Sequence, residues 1–224
     1  MTTPDTASFK PPEADDEDLA YALVKASIDA IPLIGSSAAE MFSLVVTPSL
    51  DKRRMKWMTL VGETLTLLLQ QKGLDFKALA SDEEFIDAVL QTSQTAMRTS
   101  QQDKLDILRN VIVNRALNVA PDITTQNILL KLVDSLTPLH IHILNQFRSG
   151  TVQLRWKHPP GTGTFHFYKH FEELRDYPIG QRIWQDLLSE GLLVQGMLSS
   201  NDVLDVSASE LGDLLLDLIA EPSL

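Results

Sequence analysis

Apolar residues recur at helical spacing along most of this chain, and the period shortens only near its C-terminal end. Asp15, Asp16, Glu17 and Asp18 crowd the start of the first amphipathic stretch, where negative charge complements a helix N-terminus. Leu19, Leu23, Val24 and Ile28 give that stretch its apolar face, and Pro32 and Gly35 interrupt it. A short helix is expected over 36–46, with Ser36 or Ser37 as N-cap and Pro48 as its stop. A longer one is expected over 51–71, ended by Gly73, with Met55, Met58, Leu60, Val61, Leu65, Leu68 and Leu69 on more than one face. Ser81 followed by Glu84 reads as a capping box for a helix ending near Arg98. Ser100 with Asp103 opens another, carried by Leu105, Leu108, Val111, Ile112 and Ala116. After Pro121 a helix is expected over 124–136. Thr137 and Pro138 then begin one reaching about Arg148, with Pro at its first helical position.

The pattern changes at Gly150. TVQLRWKHPPGTGTF reads as a Pro/Gly loop, followed by helices near 165–174 and 180–190. Two β-rich runs, LLVQGML and VLDV, flank the polar turn SSND, and a closing helix is expected over 208–220. The predicted fold is mainly α: an N-terminal multi-helix bundle with a C-terminal winged-helix-like module containing one small β-hairpin. Its predicted divisions are a disordered acidic tail at 1–14, the bundle at 15–149, the loop at 150–164 and the module at 165–224.

A length of 224 residues is enough to bury roughly 70–75% of the unfolded chain's surface. The net charge of −11 argues against broad nucleic-acid binding, because phosphate contacts need clustered Lys and Arg. The chain has no Cys, so disulfides, thiolate nucleophiles and Cys-based zinc sites are excluded. Residues 1–20 lack the apolar core of a signal peptide, so a cytoplasmic location is expected.

One segment departs from the acidic background. In IPLIGSSAAEMFSLVVTPSLDKRRMKW an apolar run ends in Lys52, Arg53, Arg54, Lys56 and Trp57. These five residues are the candidate contact surface. An acidic protein partner would meet the cations. A membrane interface would take the cations and the indole together. The plain alternative is a core helix beside a solvated turn that pairs with the acids at 15–18. Asp29, Pro32, Glu40 and Pro48 interrupt the run below the ~18 uncharged residues of a spanning helix. That favours protein contact over lipid contact.

Other motifs carry less. PPGTGT, at 159–164, lacks the first Gly, the Lys and the Ser/Thr of a phosphate-binding loop, with His158, Thr164 and Phe165 in their places. His166 and His170 stand four apart on a predicted helix, with Glu173 three further on. They are candidate metal ligands, but Phe167, Tyr168 and Lys169 between them supply no catalytic base, and two helix-face histidines is the preferred reading. His140 is expected to make a contact near a helix cap and His142 to face solvent. Residues 178–224 hold one basic side chain, Arg182, against eight acids, so the winged-helix-like module is not expected to bind DNA. No nucleophile elbow or paired-carboxylate signature is present, and neither a cofactor nor a small-molecule substrate is implied.

IPLIG, DKRRMKW, the run from SDEEF to RNVIVN, LTPLHIHILNQF, LLSEGLLV and SELGDLLLDLI follow one another in an order that resembles uncharacterised bacterial helical proteins likened to the abortive-infection alpha proteins of phage defence. The resemblance implies a bacterial, cytoplasmic protein in an antiphage or toxin–immunity setting. It carries over no catalytic residue. The expected function is a non-enzymatic protein-interaction component, with self-association as one form of partnering. A membrane-associating effector acting through 19–47 and 52–57, and a DNA-binding regulator, are the competitors.

Overall fold

The computed structural model describes residues 37–148, 150–155, 171, 179–196 and 203–222. The tail at 1–14, the helix expected from Asp15, PPGTGT, His166, His170, the helix expected at 165–174 apart from Phe171, and the SSND turn lie outside the described residues. The fold is mainly helical with a small antiparallel sheet.

The first described helix, α1 (Ser37–Lys72), is continuous for 36 residues, a length of about 54 Å. This corrects the expected stop at Pro48; the break expected at Pro32 and Gly35 lies outside the described residues. Proline removes one helical N–H and crowds the preceding turn, yet α1 continues through it. Beyond Pro48, Trp57, Met58, Val61, Leu65 and Leu68 are buried. Their spacing makes a single stripe, not the several-sided surface expected. This stripe holds the helix against α3 and α4 (below), so tertiary packing outweighs the local proline signal.

A short α2 (Phe76–Leu79) leads into α3 (Glu83–Arg98). The cap of α3 is Asp82, one residue after the expected Ser81; its carboxylate accepts from the amides of Glu84 and Phe85 at 3.0 and 3.2 Å. α4 (Gln102–Ala116) begins at Gln101 with no side-chain cap, not at Ser100. α5 (Ile123–Ser135) is capped by Asp122, and α6 (Pro138–Gln146) starts behind Thr137 with Pro at the expected place.

β1 (Val152–Arg155) occupies what the sequence presents as loop. Four residues are too short a run for alternation to stand out; the strand exists because a partner strand supplies its hydrogen bonds. After α7 (Gly180–Ser189), β2 (Leu193–Gln195) and β3 (Val203–Ala208) form the expected antiparallel pair, with Leu193 opposite Ala208 and Gln195 opposite Val206. β3 is central, and β1 pairs along its other edge with Leu154 opposite Leu204. Leu154, Leu204 and Val206 point inward and Gln153 and Asp205 outward, the period-two pattern of a half-buried sheet.

The closing helix, α8 (Glu210–Ile219), packs on α4, α5 and α6. One apolar core therefore runs from Trp57 to Ile219, with Phe147, Phe171 and Trp184 clustered where α6 meets α7; the ring centroids lie 5.9 and 5.8 Å apart.

Candidate functional site

The five residues singled out in DKRRMKW lie about four turns inside α1, not on a turn at a helix start. Helical geometry then divides them. Trp57 shares the buried stripe with Val61, Leu65 and Leu68, and its exposure is 0%. Its indole Nε1–H donates to Ser93 Oγ of α3 at 2.9 Å. An indole in the core with its single donor satisfied is a packing residue, so the expectation that Trp57 is a contact residue is corrected. Arg53 is half-buried, and its Nη1 donates to the Met97 carbonyl at 3.1 Å. That carbonyl is in the last turn of α3, where a cation meets the negative end of the helix dipole. Arg54 is also half-buried and engaged.

Lys52 and Lys56 remain exposed. Four residues apart, they stand one above the other on the same face of α1. Met55, 54% exposed, lies beside them. The arrangement is an outward pair of ammonium groups with an apolar side chain to one side, anchored by Arg53 and Trp57 on the inner side. The lysines' sequence neighbours thus serve the fold, and the lysines themselves are left for solvent or a partner.

A second polar assembly joins α6 to α7. His140, buried at the third position of α6, accepts at Nδ1 from the Thr137 amide at 3.2 Å and lies 2.8 Å from the Thr137 hydroxyl. An acceptor Nδ1 places the ring proton on Nε2, which faces Asp186 Oδ2 of α7 at 3.5 Å. Arg182 Nε holds the other Asp186 oxygen at 2.6 Å. Burial pushes the His140 pKa below its ordinary value, with Asp186 pulling the other way and Lys104 and Arg182 adding to the depression. This is a cap and an inter-helix tie. His142 is exposed, so the two histidines divide as expected.

Sequence reasoning missed two further constellations. Arg115 of α4 is buried and paired with Asp82 at 3.4 Å and with Glu84, tying α4 to the start of α3. Asn110 and Asn114, one turn apart on α4, donate to the last carbonyls of α8: Asn110 to Ile219 at 3.0 Å, Asn114 to Leu218 and Ala220 at 2.8 and 2.9 Å. Their i,i+4 spacing was visible, but nothing local said which helix end they would meet.

Among the described residues no three His, Asp or Glu side chains are grouped to hold a metal ion, and no described helix is long and apolar enough to cross a membrane. No family model matches the chain, and no curated protein or solved structure matches it either.

Proposed function

We propose that this protein is a non-enzymatic interaction component that docks an acidic protein surface on the outer face of α1, through Lys52 and Lys56 with Met55 beside them. The supporting observation is their exposure on one helix face in a chain whose net charge is −11. A local cationic face on an acidic molecule steers an acidic partner to one place and repels it elsewhere. The half-buried Arg53, tied to the Met97 carbonyl, holds the register of that face against α3.

A photo-crosslinker replacing Met55 in the native host tests this. The expected result is a discrete crosslinked protein that disappears in a Lys52→Glu/Lys56→Glu variant whose melting temperature is unchanged. Crosslinks indifferent to charge reversal would overturn the reading. The membrane alternative rests on the exposed Met55 flanked by cations. Flotation of the purified wild type with vesicles containing anionic lipid, and not with neutral ones, would favour it instead. The defence setting implied by the resemblance belongs to the same proposal: the charge-reversed variant is expected to lose any protection the wild type gives in a plaque assay.

A further inference from the structure

We propose that the groove where the C-terminal ends of α3 and α5 meet the N-terminal ends of α4 and α6 binds a small molecule through an oxyanion, a phosphate or a carboxylate, seated between Arg98 and Lys104. This site is separate from the α1 face and does not depend on it.

The groove encloses about 440 Å³ and adjoins a second hollow of about 680 Å³, the two sharing Gln101, Thr137 and Pro138. That is the size range of metabolite sites, roughly 300–1,000 Å³. Two cations stand in its wall. Lys104 is 6% exposed, and two of its ammonium protons go to the carbonyls of Val133 and Leu136 at the end of α5. An ammonium has three donors, and the third has no acceptor among the described residues. Leaving a buried charged donor unspent is costly, and an oxyanion in the groove would remove that cost. Arg98 is the outer cation, its side chain 66% exposed. Its Nη2 meets Asp134 Oδ1 at 2.6 Å and Thr95 Oγ1 at 3.4 Å. Nε and Nη1 have no protein acceptor among the described residues, so Arg98 keeps donors for an oxyanion beyond those that hold Asp134.

One carboxylate, Asp134, lines the groove against these two cations, and its Oδ1 is already engaged by Thr95 and Arg98. The side chains thus bring two cations against one carboxylate to the groove, beside the negative ends of the α3 and α5 dipoles. α4 adds amide donors at the same place, because Gln101 gives its first turn no side-chain cap. Asp103 faces the adjoining hollow and would repel a second anionic group there, which points to one oxyanion and an otherwise neutral body. Burial also lowers the Lys104 pKa from 10.5 to about 8, against the pull of Asp134, and a bound anion would reverse that shift.

Titration of the full chain with inorganic phosphate, and separately with the monocarboxylate butyrate, against chloride at matched ionic strength decides the matter. The expected result is saturable movement of the backbone amide resonances of Gln102, Asp103 and Lys104 with at least one probe, weakened about tenfold or more in Arg98→Gln. Whichever anion saturates identifies the headgroup. Arg98 is largely exposed, so the variant is expected to fold, and its melting curve checks that. The Lys52→Glu/Lys56→Glu variant should bind like wild type. Failure of both probes to saturate, or undiminished binding by a folded Arg98→Gln variant, would overturn the proposal.

Discussion

The indole Nε1–H of Trp57 and the hydroxyl of Ser93 meet at 2.9 Å across the α1–α3 interface, both fully buried. The contact fixes the rotation of α1 about its own axis, and so determines which side chains of DKRRMKW face outward. Ser93→Ala leaves a buried donor without its acceptor and should cost about 1–3 kcal/mol. Trp57→Ala should cost about 3–5 kcal/mol through the cavity it opens. Urea unfolding measures both. A Ser93→Ala variant as stable as wild type would mean that the hydrogen bond does not lock the helix.

Asn114 and Asn110 give the C-terminal end of α8 the donors that a helix end lacks. Asn114→Leu removes donors and should destabilise by about 1–3 kcal/mol. Asn114→Asp should be worse, because a carboxylate would face carbonyls at the negative end of the helix dipole. Amide exchange within α8 should rise in the same order. Equal effects from Leu and Asp would argue that packing, and not the direction of the hydrogen bonds, is what matters at this position.

These two contacts also show what the sequence could and could not disclose. Thr137–Pro138 and the acids after Ser81 act locally through caps, and the β-rich runs LLVQGML and VLDV act through residue type, so they mark α6, α3 and the β2–β3 pair closely. Pro48 misled because a helix break is a local tendency, and the stripe from Trp57 to Leu68 anchors α1 through contacts made later in the chain, as at Ser93, 36 positions beyond Trp57. β1 was hidden because its stability comes from β3. Within the basic run the charges were legible. Their division into inward Arg53 and Trp57 and outward Lys52 and Lys56 was not, since it depends on the phase of a helix that begins about four turns earlier.

Gly212 sits inside α8, where alanine is ordinarily better by about 1 kcal/mol. Here a Cβ would run into the Leu192 carbonyl and close on a Leu144 methyl at 3.3 Å. That carbonyl also accepts from the Ser209 amide at 2.9 Å, so it cannot move aside without loosening the start of α8. Gly212→Ala should therefore destabilise, by about 1–3 kcal/mol as in other overpacked sites. Thermal melts of Gly212→Ala against Gly62→Ala make the comparison, since nothing lies within 4 Å of a Cβ at Gly62. Gly62→Ala should be neutral or stabilising; similar losses in both would refute the close-approach account.

His140 makes the fold sensitive to acid. Its ring is neutral in the folded protein, with Nδ1 accepting from Thr137, and its pKa is lowered from 6.5 chiefly by burial. The unfolded chain takes up the proton first as pH falls, so in that window it binds more protons than the fold does. The His140 contribution is therefore fully present above about pH 6.5 and is lost as pH drops toward the lowered value. Protonating Nδ1 would also turn the acceptor of the Thr137 amide into a donor, opening the cap of α6. The groups facing the ring from α7 and α4 are Asp186, Arg182 and Lys104; only Asp186 favours the proton, and it is held by Arg182. Urea midpoints at pH 7 and pH 5.5 should fall more in wild type than in His140→Asn, whose amide oxygen remains an acceptor without titrating. Parallel pH profiles for the two proteins would show that another group carries the acid response.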